Sequence, residues 1–238
     1  MNLAIDAGNS FLKCTTMSNG SIIDIFRWEY ADFFKNGYQK PALNAIICNV
    51  SKYDTRDILS RLNCQHVLEF NHSTKIPIKI AYETPKTLGL DRIAACVGAE
   101  RMNPHVNKLI FDLGTALTID FVDSNSTFIG GNISLGLNSR FKALHEFTGN
   151  LPLLHATNNE VSLIGKDTNS AIVNGVINGI IYEINQYLDN YTIEYQSITP
   201  IITGGDCLFF EKRIKRPIFA YPNLTAIGLF SILEHNEK

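Results

Sequence analysis

Ile5-Asp6-Ala7-Gly8-Asn9-Ser10 and Phe111-Asp112-Leu113-Gly114-Thr115-Ala116 make one statement twice. In each, an apolar strand-like run ends in Asp-x-Gly, small or polar residues follow, and a second strand-like segment begins. A carboxylate, a glycine that exposes backbone N–H groups and a hydroxyl at one strand end are the parts needed to hold a metal-bound polyphosphate. Two copies predict two similar halves facing each other across a cleft. Such a cleft suits a nucleotide and points to phosphoryl transfer.

The bulk properties agree with a folded soluble protein. The 238 residues, 45% apolar and 18% charged, suffice for one large domain or two small ones. A net charge of -2 gives no electrostatic footprint for nucleic acid, and Lys212-Arg213-Ile214-Lys215-Arg216 reads as a solvated helix end and turn. The five cysteines (Cys14, Cys48, Cys64, Cys96, Cys207) are scattered without Cys-x-x-Cys, so reduced thiols are expected, not a zinc site or disulfide framework. A strand pattern at the very start leaves no room for a signal peptide. The long apolar stretch Ala171 to Tyr187 is interrupted by Asn174, Asn178, Glu183, Asn185 and Gln186, so it reads as a buried helix whose Gly175 and Gly179 permit close packing. No membrane partner and a cytoplasmic location are expected.

Leu3–Ile5, Phe11–Met17 and Ile22–Trp28 read as a three-strand meander, with Asn19-Gly20 as a hairpin signal. A strand at 45–50, a helix at 55–62 and a strand at 67–70 follow. Residues 71–88, with Pro77 and Pro85, read as mostly loop, and a helix runs from Leu90 to Met102 before Pro104. Strands at 108–111, 117–122 and 127–133 restart the pattern. Helices at 140–147 and 168–188, a strand at 200–203, a short helix from Asp206, a strand at 218–221 and a helix at 224–233 complete it. The expected fold class is α/β, with domains 1–105 and 106–238.

Within Asp6 to Lys13, Gly8 suits a tight turn, Asn9 and Ser10 add donors, and Lys13 can offer charge to a phosphate. Asp6 can hold magnesium, through water, since that cation keeps much of its hydration. One Asp-x-Gly alone would read as an ordinary capped turn; the second copy reverses that. There, Thr115 and Thr118 can donate to phosphates and Asp112 can reach a cation. Thr203-Gly204-Gly205-Asp206 can lay exposed backbone against a purine and ribose, or be a strand-to-helix turn with Asp206 as N-cap. Gly130-Gly131-Asn132 reads either as a bulge or as a ligand lining. Gly89-Leu90-Asp91-Arg92 opens a helix. Asp91 is there a favourable first-turn charge or a carboxylate that orients an alcohol and takes its proton, and Arg92 can grip a carboxylate bidentately.

In this order and spacing, Asp6-x-Gly8-Asn9-Ser10, Gly89-Leu90-Asp91-Arg92, Asp112-x-Gly114-Thr115-Ala116-x-Thr118-x-Asp120, Gly130-Gly131-x-Ile133 and Thr203-Gly204-Gly205-Asp206 resemble type III pantothenate kinase. Tyr82 before Gly89, and Gly165-Lys166-Asp167-Thr168, fit the same pattern. The resemblance implies two duplicated ribonuclease-H-like domains, as in the actin-like ATPases, around a nucleotide cleft. It implies transfer of the ATP γ-phosphoryl group to the terminal hydroxyl of pantothenate, the first step of coenzyme A synthesis. By it, Asp91 is the proton acceptor, Arg92 binds the pantothenate carboxylate, Tyr82 and Thr168 contact the same substrate, and Gly89 and Leu90 shape its pocket. Asp6, Ala7, Gly8, Asn9, Ser10, Phe11, Leu12, Lys13 and Thr115 bind ATP phosphates. Asp112 binds potassium or ammonium, magnesium accompanies ATP, and the chain forms a homodimer.

The chain departs from the family pattern twice. Ser10 stands where threonine is usual and keeps the hydroxyl. In Gly130-Gly131-Asn132-Ile133-Ser134-Leu135-Gly136 the usual proline is Leu135, which restores an N–H. Two other readings remain at this stage: a kinase of the same fold for another hydroxylated acid, and a nucleotide-driven switch with little catalysis.

Overall fold

The computed structural model describes residues 1–18, 20–158 and 160–237, in two compact units. The first unit contains the start of the chain through Pro104, together with Ser126–Ile129 and the segment from Asn223. Its sheet begins with the expected meander: β1 (Asn2–Ala7), β2 (Leu12–Ser18) and β3 (Ser21–Trp28), paired antiparallel. Asn19 of the expected Asn-Gly turn lies outside the described residues; Ser18 pairs with Ser21, and Gly20 takes φ +76°. After α1 (Tyr30–Asn36), β4 (Tyr38–Asn49) adds parallel to β1; α2 (Thr55–Leu59) then leads to β5 (Leu62–Glu69), parallel to β4. The strand order is β3-β2-β1-β4-β5.

β1 and β4 are buried on both faces, which is why Leu3-Ala4-Ile5 and Ala45-Ile46-Ile47-Cys48 are continuous apolar runs and not alternating ones. On one face Leu3, Ile5, Ala7, Ala45 and Ile47 pack with Tyr30 and Phe33 of α1 and Ile58 of α2. Two helices lie against the sheet as well: α3 (Leu90–Met102) contacts β4, and α7 (Leu224–Asn236) contacts β1 and β4. The two helices cross so closely that a Cβ on Gly228 would strike the Ala94 carbonyl, and one on Gly98 the Leu224 carbonyl.

In the second unit β7 (Lys108–Leu113) and β8 (Ala116–Val122) pair antiparallel, and β9 (Thr127–Leu135) lies beside β8. After α4 (Leu137–Phe147) and α5 (Thr168–Tyr195), β10 (Thr199–Thr203) adds parallel to β7, followed by α6 (Cys207–Glu211) and β11 (Phe219–Ala220). The order β9-β8-β7-β10-β11 repeats that of the first sheet, strand for strand. α5 sets Ile172, Val176, Ile180, Ile184 and Leu188, four residues apart, against Phe111, Leu117 and Ile119. Gly179 leaves room for Arg140, whose Nη1 would lie 3.4 Å from a Cβ there, whereas Gly175 meets nothing.

Three features differ from expectation. The units are not continuous in sequence as 1–105 and 106–238. The start of β9 joins the first unit, where β6 (Lys79–Ile80) pairs with Thr127 and Phe128 inside a stretch expected to be loop, and α7 packs there too. Second, α1 was not expected. It is short, and it stops at Gly37, whose φ of +66° lets its N–H reach the Phe33 carbonyl at 2.7 Å. Third, element ends move: β4 starts at Tyr38, α2 ends at Leu59, β5 begins at Leu62, α4 begins at Leu137 and α5 continues to Tyr195. Among the described residues no helix is long and apolar enough to cross a membrane.

Candidate functional site

In the first unit the strand register sets Asp6 opposite Lys13 on β2 and Cys48 on β4. Burial pushes the Asp6 carboxyl up from 3.8 to about 6; Lys13 opposes that rise and Asp91 adds to it. Asp6 and Asp91, far apart in sequence, therefore lie near enough to feel one another. Both also help raise the buried Cys48 thiol, after burial itself.

The turn after β1 is pinned by its backbone. The Gly8 N–H donates to the Phe11 carbonyl at 3.1 Å, and the Tyr30 hydroxyl donates to the Gly8 carbonyl at 2.6 Å. Tyr30 is itself fixed by stacking on Tyr53, with ring centroids 4.2 Å apart. Asn9 and Ser10 are left exposed at the tip, while the Ala7 and Leu12 side chains point into the core. Of the expected phosphate-binding residues, those two can offer only their backbones.

Asp91 sits in the first turn of α3, where its Oδ1 accepts the Arg92 backbone N–H at 2.8 Å. Gly89, the N-cap, makes space for that carboxylate: a Cβ there would lie 2.5 Å from Asp91 Oδ1. The His72 Nε2–H donates to the Leu88 carbonyl at 2.8 Å, steadying the approach to the helix. Arg92 is buried, its guanidinium 5.7 Å from the centroid of Phe128, and Tyr82 meets the same ring edge-on at 5.8 Å. Phe128, fully buried in β9, thus brings Tyr82 and Arg92 together.

In the second unit the strand-end loop is just as firmly built. Asp112 pairs across the sheet with Thr203, and Gly204, with φ +90°, packs so closely that a Cβ would strike Asp112 Oδ1. The Asp206 N–H reaches the Leu113 carbonyl at 3.1 Å. Gly136 presses on the Gly114 and Thr115 carbonyls, and the Ser139 hydroxyl donates to the Thr115 carbonyl at 2.6 Å. Thr115 is exposed. Thr118 instead donates to the buried Asp120 at 3.1 Å, a structural bond that occupies the hydroxyl expected to meet phosphate. Gly205 faces open space. Gly130-Gly131-Asn132 runs within β9. Where the family's proline is replaced, the Leu135 carbonyl accepts from Arg140 Nε at 2.8 Å, and Arg140 pairs with Glu183, so the turn into α4 is tied to α5. Thr168 is exposed at the first position of α5, which Asp167 and Ser170 close with a reciprocal capping box.

Among the described residues no cluster of three His, Cys, Asp or Glu side chains is placed to hold a metal. One carboxylate with water and phosphate oxygens is the donor set magnesium takes when it arrives with a nucleotide. Asp6 fits that role, since burial and the Asp91 charge raise its carboxyl to about 6 despite Lys13 opposite, a cost that a bound cation would relieve. Asp112 Oδ1 and the Leu113 carbonyl converge on Gly204, and oxygen donors of this kind are what a larger monovalent cation takes. Sequence reading missed Tyr30, Phe128, His72 and Arg140, because each acts through a tertiary contact that no local motif records.

The model of the family described as type III pantothenate kinase matches residues 2–190. Type III pantothenate kinase of Cytophaga hutchinsonii is 41% identical over 99% of this chain and 100% of its own length. That of Phocaeicola vulgatus is 37% identical over the whole of both chains. Among solved structures, a Campylobacter jejuni chain described as a Baf family transcriptional activator superposes with a TM-score of 0.65 at 22% identity, covering 99% of this chain and 98% of that one. The activator of 2-hydroxyisocaproyl-CoA dehydratase from Clostridium difficile, solved with bound ADPNP, gives 0.53 at 11% identity, covering 99% and 96%. At these identities the two structures speak for the fold alone, that of the actin-like ATPases and sugar kinases.

Proposed function

The chain belongs to the type III pantothenate kinase family, and from that premise we propose how its residues divide the ATP-dependent phosphorylation of pantothenate, the first step of coenzyme A synthesis. The observation that carries the division is the approach of Asp91 to Asp6, which puts a candidate base beside a candidate phosphate loop within one unit.

Asp6–Lys13 and Thr115 hold the phosphates of ATP. Gly8, Asn9 and Ser10 present donors from a turn already fixed by Tyr30, so little loop ordering is needed on binding. Gly204 and Gly205 lay backbone against the purine and ribose. Asp91 accepts the proton of the pantothenate hydroxyl as the oxygen attacks the γ-phosphorus, and Gly89 keeps its carboxylate in place. Arg92 binds the pantothenate carboxylate, with Tyr82, Gly89, Leu90 and Thr168 shaping the pocket. Asp6 would hold magnesium, through water, and Asp112 potassium or ammonium; such cations would neutralise charge that develops on the phosphate oxygens. The enzyme acts as a cytoplasmic homodimer, with neither nucleic acid nor membrane as partner. In support, Leu163 and Ile164, beside Thr168, are 81% and 71% exposed, which a second copy would relieve.

ADP release with ATP, magnesium and pantothenate, in potassium and in sodium buffer, tests this division. Turnover that needs both pantothenate and potassium is expected, with Asp91→Asn slowing it by a factor of about 100 to 10,000 while ATP still binds. Pantothenate-independent release would point to another hydroxy acid, and an unaffected Asp91→Asn variant would remove Asp91 from the chemistry.

A further inference from the structure

Strand pairing in the first sheet sets four side chains in one row, each directly opposite the next: Cys48 on β4, Asp6 on β1, Lys13 on β2 and Arg27 on β3. Residues directly opposite share a face of the sheet. Asp6 offsets the charge of Lys13. Arg27 then places a second cation beside Lys13, an arrangement that destabilises a strand pair unless something negative comes to it. Among the described residues no carboxylate forms an ion pair with Arg27. Lys40 on the same sheet differs, as it lies over Phe26 but also holds Asp24 at 2.7 Å.

Arg27 is exposed, but its guanidinium is not left to wander: the central carbon lies 3.7 Å from the centroid of the Phe11 ring. Phe11 is the residue whose carbonyl closes the turn at Gly8. A guanidinium resting on an aromatic face is pre-placed and keeps its fork of N–H donors for an anion. An arginine stem on the edge strand β3 covering a phenylalanine of the turn before β2 is the ordinary explanation of such a stack. It accounts for the ring contact, but not for a second cation opposite Lys13 at the mouth of the turn.

We propose that Arg27 is a second polyphosphate-binding side chain, acting with Lys13 on the phosphate tail of the nucleotide. The proposal rests on the reading of Asp6–Lys13 as the phosphate loop. Its occupant is a nucleoside triphosphate, and the contribution of Arg27 grows with the number of phosphates.

Direct titration of the full chain with magnesium and ATP, ADP or AMP, at low and high ionic strength, separates contact from support. The variants are Arg27→Met, Arg27→Lys and Phe11→Leu, with thermal melting as the control for folding. Arg27→Met is expected to weaken ATP about tenfold, ADP less and AMP not at all, and to flatten the salt dependence. Arg27→Lys should fall between, and Phe11→Leu should lose less than Arg27→Met. Equal losses for ATP and AMP would overturn the proposal, because they would make Arg27 a prop for Phe11. So would a Phe11→Leu loss that matches Arg27→Met and is not deepened in the double variant. A parent protein that binds ATP no tighter than AMP would show that the phosphate-loop reading itself fails, before any variant is made.

Discussion

At the scale of single residues, Asp6 is where stability and function pull apart. Its carboxyl titrates near 6 in the folded chain against 3.8 in the unfolded one. Between those values the folded state binds more protons, so in metal-free, nucleotide-free protein stability falls as pH rises through that window. A shift of about two units is worth at most about 3 kcal/mol. Asp6→Asn should abolish this part of the slope and melt higher than the parent above pH 6 without ligand. It should also lose tight magnesium–ATP binding. Melting curves from pH 4 to 8 with chelator present check this; a variant that keeps the parent's slope would place the titration elsewhere. Asp6, Asp91 and Arg92 stood out in the sequence as candidates because their proposed chemistry is carried by the residue type and its neighbours. Tyr30 and Phe128 were not, since a tyrosine bonding Gly8 and a phenylalanine joining Tyr82 to Arg92 look like ordinary core residues until the chain is folded.

At the scale of elements, the decisive pair is α3 and α7. α3 carries Asp91 and Arg92 at its start, so whatever sets its axis sets the proposed base. That axis is fixed by backbone contact with α7 at Gly98 and Gly228, with no side chain between to absorb a change. Gly228→Ala must move one helix against a packed sheet. It should destabilise by about 3 kcal/mol, although alanine is the better helix former. Gly98→Ala should do the same, and the double variant should cost less than the sum because the helices separate only once. Chemical denaturation of the three variants checks this, and a neutral Gly228→Ala would show that the crossing does not fix the axis of α3. Sequence located both helices well. It could not say that they touch: an apolar stripe on α7 announces burial, not the partner. The start of β4 was hidden for a different reason. Pro41 looks like a strand breaker, and the sheet accommodates it only through the register shift between Tyr38 and Ala42.

At the scale of the molecule, the duplicated loops foretold the duplicated strand order, because an Asp-x-Gly turn has to sit at the end of the first strand of each meander. The division of the chain was harder to foresee. Two continuous halves would each fold from their own segment, but the first unit is completed by the last helix of the chain. Ala4 and Ile46 are almost wholly buried and lie on β1 and β4, the strands that α7 contacts. A chain ending at Pro222 would expose such residues together with the apolar side of α3, a continuous surface that water disfavours. Truncation there should therefore unfold the first unit, not shorten the second. Trp28, the single tryptophan, reports this directly, since it packs against the core of the first sheet. Its emission should shift to the red in the truncated protein, with loss of ATP binding at Asp6–Lys13, while helical signal from α5 persists. If the emission stays blue and ATP still binds, the first unit closes without α7, and the α3–α7 crossing is not what holds Asp91 in place.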